Sequence, residues 1–430
     1  MKQPVFIMRP FLALPFAMAL LSPQAAFAQV AAADSGDTAW MMLCAMLVLL
    51  AALPGLALRL AGASSVRSAL CAMAQNMGVA AGVSLAWAIA AYSLIYAPGD
   101  AWLGGSGNLL LANLAALREG MTVPESAFVL FQMSLAVFAA CLVGGAVVDR
   151  GRTGWMVLFA PLWLLLVYVP VAHWTWGGGW LAGLGVMDFA GGLVVHLCAG
   201  FSVLSLTLIA GRRASATASG HAPVLGMAGG ALIWLGLAGS VGGWALGATD
   251  DAATAILNGH FAACAGALGW MALDRVLSGR AAATGAVSGA LAGIAAIAAS
   301  AALVGAGGAM LIGLAAAAIC RGIIGFIGKR ADDPARIFVL HGIGGLAGVL
   351  LLPVFVLPML GGVGFEGAIS LSDAMLSQIT GVAAVALWSM AGTAIAALLI
   401  SMLLPLRASA KEEETGLDMA LHGEQAWDIH

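Results

Sequence analysis

Charged residues are scarce in this chain. Only 9% of its 430 residues are Asp, Glu, Lys or Arg, whereas 62% are hydrophobic, and the mean hydropathy is +1.03. Soluble domains carry about 25% charged residues, so a chain this poor in charge cannot cover a water-exposed surface. The composition excludes a soluble globular protein and predicts an all-α polytopic membrane protein in a lipid bilayer.

The sequence also lacks the motifs of metal sites, disulfide frameworks and catalytic sites. The six cysteines show neither the spacing of metal ligands nor a secreted disulfide framework. There is no phosphate-binding loop and no nucleophile–base pair. We therefore predict that the protein is not an enzyme, and we expect no cofactor, no metal and no nucleic-acid partner. Glycine, in contrast, is abundant at 58 residues, and small residues let membrane helices approach closely.

The first 28 residues have the pattern of a signal peptide. Lys2 and Arg9 form a short basic region, residues 11–21 are apolar, and Ala26 and Ala28 fit a small-residue cleavage site. The alternative is an uncleaved additional helix, which the short apolar core disfavours. Cleavage would leave the mature N-terminus outside the membrane.

The rest of the chain divides into eleven apolar spans, since a bilayer crossing needs about 20 apolar residues. We predict a transmembrane domain over residues 36–406 and a cytoplasmic regulatory tail over residues 407–430. The spans are predicted to start near Trp40, Ser68, Ala127, Trp155, Phe189, Pro223, Ala252, Ala281, Ala309, Ile337 and Ala374.

The basic residues of the predicted loops support this count of spans. Cytoplasmic loops collect lysine and arginine, and every second loop here is basic, whereas the others hold Arg118 as their only basic residue. This pattern predicts an outside N-terminus, a cytoplasmic C-terminus and a multi-pass protein of the inner membrane. The residues on the predicted inner side are Arg59, Arg67, Arg150, Arg152, Arg212, Arg213, Arg275, Arg280, Lys329, Arg330 and Arg336.

Two histidines lie within apolar spans, where ionisable groups are costly and usually line a pathway. His196 follows Asp188 by eight residues, and His341 follows Asp333 by the same distance. The two segments open the fifth and tenth spans, which enter from opposite faces, as in an inverted five-helix repeat. The alternative is coincidence, because Asp commonly caps a helix. Without further ligands, a histidine pair suits a small neutral solute or a proton better than a metal.

Several motifs, taken in order, resemble the ammonium transporter (Amt/Mep/Rh) family, bacterial Amt type. The most specific are the Trp-Gly-Gly-Gly run from Trp176, the Asp-Phe-Ala-Gly-Gly run from Asp188 with His196, and the His-Gly-Ile-Gly-Gly run from His341. The resemblance extends from Gly36 to the C-terminus. It implies an eleven-helix protomer, a homotrimer, and a path in each protomer along which ammonium is recruited, deprotonated and conducted as ammonia.

The same resemblance assigns roles to residues. His196 and His341 correspond to the twin histidines of the path, Trp176 to the outer aromatic that recruits ammonium, and Asp188 to the structural acid below it. Tryptophan is the best aromatic partner for a cation, and Asp188 can accept backbone amides at a helix N-terminus. His173 is interpreted as an interfacial residue at the end of the fourth span.

The outer gate departs from the family pattern, which stacks two phenylalanines. Leu135 and Ser240 stand at those two positions, with Phe131 one turn before the first, and Trp244 replaces a serine of the vestibule. Four alternatives follow. Trp244 takes over cation binding and occlusion; the recruitment site is weak and conduction poor; or the protein is an ammonium sensor or low-flux homologue that signals through its tail. A fourth is that the alignment of the sixth span is shifted.

Two further departures lie on the cytoplasmic side. Arg336 replaces an acidic residue that is usual just before the inner histidine. The tail keeps the family's Gly-Leu-Asp and His-Gly-Glu segments, at Gly416 and His422, and has Trp427 where a tyrosine is usual. The resemblance implies that such a tail packs on the cytoplasmic face and couples to a PII-type signalling protein.

Overall fold

The protein is described from a computed structural model, which covers residues 33–114, 116–214, 220–365 and 367–427. The predicted signal peptide, residues 1–28, lies outside the described residues. Within them, ten helices are long and apolar enough to cross a membrane, and one shorter apolar helix joins them. We number these segments α1 Ser35–Ala63, α2 Ala69–Tyr96, α3 Glu125–Val147, α4 Thr153–Gly183, α5 Gly192–Ala210, α6 Pro223–Gly243, α7 Asp250–Ser278, α8 Ala283–Ile297, α9 Ala306–Gly328, α10 Phe338–Phe355 and α11 Leu371–Ser401.

The all-helical fold and the positions of the apolar segments confirm the prediction closely. Each predicted span has a helix that begins within five residues of it, the largest offset being between Trp40 and Ser35. The exception in length is α8, which has 15 residues. At 1.5 Å per residue, a helix of that length is shorter than the hydrocarbon core of a bilayer.

The chain after α8 shows why that helix ends early. Residues 298–304 form turns rather than a helix, and the carbonyls of Ala298 and Ala299 accept hydrogen bonds from Ala190 N and Phe189 N at 2.8 and 3.0 Å. The side-chain amide of Asn258 donates to two more carbonyls of this stretch. Irregular backbone at membrane depth is tolerated where the protein itself satisfies its polar groups. The pairing places this turn against the segment that leads into α5.

Wide, π-helical turns interrupt five of the spans. One, at Ala51–Gly55, contains Pro54, which cannot donate to the helix ladder. Two others, Gly192–Leu197 and Phe338–Ile343, open α5 and α10 and hold the two buried histidines. Such turns often mark functional positions.

The tail packs on one end of the helix bundle, which we call the tail face. A short helix, α12 Ala410–Thr415, is tied to the bundle by the ion pair of Arg152 with Glu412 at 2.6 Å. Further along, the Asp418 carboxylate accepts hydrogen bonds from Leu70 N and Cys71 N in the first turn of α2. The tail is therefore held against the start of α2, and the other end of the bundle is called the opposite face.

Candidate functional site

His196 and His341 contact each other inside the bundle. Both residues are buried, with exposed fractions of 1% and 2%. The rings are nearly parallel, with an interplanar angle of 24° and centroids 5.1 Å apart, and the two Nδ1 atoms are 3.1 Å apart. The structure thus brings the two predicted residues together, although 145 positions separate them in the chain.

The Nδ1–Nδ1 contact fixes what a neutral pair offers to a solute. One Nδ1–H donates to the other Nδ1, so the donating ring has a bare Nε2 and the accepting ring has an Nε2–H. The pair therefore presents one acceptor and one donor at its outer nitrogens. A small molecule that both donates and accepts hydrogen bonds can use each of them.

The two histidine segments match in structure as well as in spacing. Oδ2 of Asp188 accepts from Leu193 N at 3.0 Å, and Oδ2 of Asp333 accepts from Phe338 N at 2.8 Å. Each contact spans five residues and caps a π-helical turn whose histidine comes three residues later. This shared local geometry is what an inverted repeat requires.

Glycines allow the two segments to touch. A Cβ placed on Gly200, four residues after His196, would lie 2.2 Å from the Cα of Gly342. A Cβ on Gly345, four residues after His341, would lie 3.1 Å from the Cβ of His196. Any side chain at Gly200 would separate the backbones, so these glycines set the distance between the imidazoles.

Phe138 is a residue of the site that the sequence reasoning missed. It is fully buried, and its ring stands edge-on to both imidazoles, at centroid distances of 6.2 Å from His196 and 6.1 Å from His341. The signal was present in the sequence: positions 131, 135 and 138 share one face of α3, because helix neighbours recur every three and four residues.

Two tryptophans meet toward the opposite face. The rings of Trp176 and Trp244 have centroids 4.2 Å apart and are tilted by 46°. The indole N–H of Trp176 donates to the Asp188 carbonyl at 2.9 Å. The indole nitrogen of Trp244 is buried and has no hydrogen-bond partner among the described residues. At this distance the rings are in contact, so Trp244 covers part of the Trp176 face.

The gate positions lie behind and beside this pair. Phe131 is fully buried, and its ring stands edge-on to Trp244 at 6.2 Å. Leu135 is fully buried one turn further along α3, and Ser240 is 2% exposed. The Ser240 hydroxyl faces the Ala190 carbonyl at 3.5 Å. The aromatic bulk beside Trp176 thus comes from Trp244 and Phe131, while Leu135 and Ser240 are packed in the interior.

Asp188 has the geometry expected of a structural acid. Besides Leu193 N, its carboxylate accepts hydrogen bonds from Gly191 N at 3.2 Å and Val194 N at 3.0 Å. Gly191 has φ +98°, a left-handed conformation that glycine adopts readily, and this bend turns the amides toward the carboxylate. The backbone carbonyl of Asp188 accepts the indole N–H of Trp176. Asp188 therefore connects the tryptophan pair to the start of α5.

His173 is buried within the protein near the end of α4. The residue is 2% exposed, and its ring nitrogens contact the carbonyls of Ile95 at 2.7 Å and Asp100 at 2.8 Å. This histidine ties α4 to the end of α2 and the loop that follows it. Within the described parts of the chain, no three His, Cys, Asp or Glu side chains converge as metal ligands would.

Similar proteins identify the family. The profile of the Ammonium Transporter Family matches residues 39–427. An ammonium transporter of Bacillus subtilis is 38% identical over 402 residues, 91% of this chain and 98% of the relative. One from Aquifex aeolicus is 36% identical, with 94% and 96% of the two chains covered.

Solved structures agree with these relatives. A protein described as a "Sensor Amt Protein" has a TM-score of 0.83 at 25% identity and covers 90% of this chain and 98% of its own. Candida albicans Mep2 has a TM-score of 0.81 at 30% identity, with 89% and 88% covered. The relatives are named as transporters and not as enzymes, which confirms the prediction that the chain is not an enzyme. The chain is a multi-pass membrane protein and belongs to the ammonium transporter family.

Proposed function

We propose that this chain recruits ammonium at Trp176 and Trp244, removes its proton, and conducts ammonia past His196 and His341. The observation that carries the proposal is the histidine contact: two imidazoles, 3.1 Å apart at Nδ1, are buried among apolar helices. An ion at the centre of a bilayer is expensive, whereas ammonia is neutral and can both donate and accept hydrogen bonds. Those are the groups that the neutral histidine pair offers.

The proton is released between the two sites in this proposal. Ammonium loses one N–H bond and leaves as ammonia, and the proton moves separately. The faces of tryptophan rings attract a cation, so ammonium is stable at the tryptophan pair. Beyond it, burial penalises charge and favours the neutral form. A hydrogen-bonded imidazole pair can relay the released proton.

Trp244 is proposed as the gate in place of two stacked phenylalanines. It contacts Trp176 and is backed by Phe131, so aromatic occlusion is kept by a different set of side chains. For ammonium to reach the full Trp176 face, the Trp244 ring has to move. Gly243, whose added Cβ would meet the Phe131 ring at 2.3 Å, keeps α6 close enough for this contact.

We expect Trp244→Ala to weaken the apparent affinity for ammonium. Loss of one cation–π partner, worth about 0.5–2 kcal/mol, corresponds to a roughly twofold to thirtyfold increase in the half-saturating concentration. Uptake in proteoliposomes over a range of ammonium concentrations measures it. Trp102→Ala is the control, because Trp102 packs with Trp174 and Trp180 instead. Equal kinetics for wild type and Trp244→Ala would contradict the proposal.

The second candidate is a sensor. The neighbour described as a "Sensor Amt Protein" and the substituted gate positions favour it. The same proteoliposomes separate the two functions: saturable binding of ammonium without flux, in correctly inserted wild-type protein, identifies a sensor. Flux that saturates identifies a transporter.

The proposal also covers the orientation, the membrane and the oligomeric state of the protein. We infer that the tail face is cytoplasmic, that the protein lies in the inner membrane, and that three copies assemble. The basic loops at the tail face support the orientation. His260 is exposed ten residues into α7, and an ionisable side chain facing lipid is costly. Contact with another copy would cover it, and light scattering of the purified protein tests the trimer.

The tail is proposed as the docking element for a PII-type protein. We expect Asp418→Asn to release it, because the carboxylate that accepts Leu70 N and Cys71 N becomes a weaker acceptor. Loss of such a cap costs roughly 0.5–2 kcal/mol. Hydrogen exchange should rise over residues 410–427 and stay unchanged in Asp373→Asn, which alters the carboxylate that accepts the Ser370 hydroxyl at the start of α11. Unchanged exchange in both variants would refute this anchor.

A further inference from the structure

A cationic cavity lies at the tail face. Its volume is about 250 Å³, and its lining residues include Arg59, Arg213, Arg336, Thr284 and Ser288. The first turns of α6 and α8 also contribute to the lining. Helix N-termini carry a partial positive charge. The charged residues and helix ends of the lining therefore attract anions, and apart from Thr284 and Ser288 the rest of the lining is glycine, alanine and proline.

One of the three arginines is already neutralised. Arg213 pairs with Asp149 at 2.9 Å and with Asp332 at 3.1 Å. Burial tends to raise the pKa of Asp332, but the hydrogen bonds and charge of Arg213 offset it and leave that pKa below its ordinary value. The two carboxylates pair with Arg213 and hold it in place.

The other two arginines lack such partners. Within the described residues, neither Arg59 nor Arg336 forms an ion pair. Among the described residues, Arg59 donates only to the carbonyls of Gly226 and Ala335, each at a long 3.4 Å. The charge of Asp333 acts on both arginines, and that of Asp274 on Arg336, without a direct ion pair; one oxygen of Asp333 accepts from Phe338 N. Two guanidinium charges in one cavity repel each other unless an anion lies between them.

The backbone at Arg336 is unusual as well. Its φ is +60°, a left-handed conformation that non-glycine residues seldom adopt and that strains the backbone. The resemblance to the family predicts an acidic residue at this position. Here the chain instead holds an arginine in a strained conformation, and this exposed residue lines the cavity.

We propose that this cavity binds a small phosphate-type oxyanion from the aqueous phase, held between Arg59 and Arg336. Guanidinium groups match phosphate oxygens with paired hydrogen bonds, and Thr284 adds a hydroxyl donor. His341 follows Arg336 by five residues, so the bound anion lies near the tail-face end of the proposed path and slows the exit of ammonia. The effect on flux rests on the proposed function, whereas the binding itself does not.

Binding is tested with radiolabelled inorganic phosphate on the full chain in phosphatidylcholine nanodiscs. Wild type should bind saturably, and Arg336→Gln should bind roughly tenfold more weakly, as expected for loss of a charged hydrogen-bonding partner. Arg330→Gln is the matched control, since Arg330 lies over the Phe326 ring outside the cavity. Absence of saturable binding, or equal losses in both variants, overturns the proposal.

Two further measurements separate the source and the effect. Nanodiscs that contain phosphatidylglycerol should leave phosphate binding unchanged; displacement would assign the cavity to a lipid headgroup and overturn the soluble ligand. In proteoliposomes, phosphate on the tail-face side should slow ammonium flux in wild type and in Arg330→Gln but not in Arg336→Gln. Without any wild-type flux the proposed function fails, and the nanodisc experiment still decides whether the site exists.

Discussion

Replacing His196 or His341 with alanine is expected to lower ammonium uptake by tenfold or more. Each substitution removes one of the two polar groups on the buried path and leaves the Nδ1 of the other imidazole without its partner at 3.1 Å. An unpaired buried polar group costs about 1–3 kcal/mol, and a further 1.4 kcal/mol on a barrier is roughly a factor of ten.

The double variant makes this prediction sharper. Because the two imidazoles act through one shared hydrogen bond, removing both should cost little more than removing one. The measurement is growth of cells that lack their own ammonium uptake, together with flux in proteoliposomes. His260→Ala is the control, since that histidine stacks on Trp234, outside the path. Wild-type uptake by the His196→Ala and His341→Ala variants would refute the assigned pathway.

Asp188→Ala is expected to cause the largest loss of stability. The carboxylate accepts three backbone amides, from Gly191, Leu193 and Val194, and no other acceptor replaces it. At about 1–3 kcal/mol for each buried unpaired amide, the loss is about 3–9 kcal/mol, comparable with the stability of a typical domain. We expect little folded protein in the membrane, measured by size-exclusion chromatography and thermal unfolding.

Asp333→Ala provides the matched comparison. Its carboxylate caps the corresponding turn of α10 but accepts only the Phe338 amide at 2.8 Å. The loss should therefore be roughly 1–3 kcal/mol. If Asp188→Ala were as stable as wild type and lost only uptake, Asp188 would be a direct ligand for ammonium and not an architectural residue.

Much of the fold followed from residue chemistry that acts locally. Apolar runs and basic loops placed the helix starts within five residues, because the cost of burying charge in lipid depends on each segment by itself. The short α8 could not be found this way. It ends where carbonyls of residues 298–304 accept hydrogen bonds from Phe189, Ala190 and Asn258, all distant in sequence.

Part of the candidate site was likewise predicted from the sequence, and part was not. The eight-residue spacing from Asp188 to His196, repeated at His341, predicted a related pair because the two segments open the fifth and tenth spans, at corresponding positions of a five-helix repeat. Phe138 and the contact between Trp176 and Trp244 were not predicted as such. They depend on how α3, α4 and α6 pack against one another, which a linear pattern does not encode.

The sequence by itself determined that this chain is a many-helix membrane protein. It also placed two histidines in apolar spans, where ionisable groups are energetically costly and usually functional. Hydropathy, charge placement and helix capping suffice for that, since each is a property of a short segment in a fixed solvent. Only the tertiary structure decided the distance between the imidazoles, the aromatic cover over Trp176 and the unpaired arginines of the tail-face cavity. Those depend on glycine contacts between helices far apart in the chain, and close packing fixes such distances only after the whole bundle has assembled.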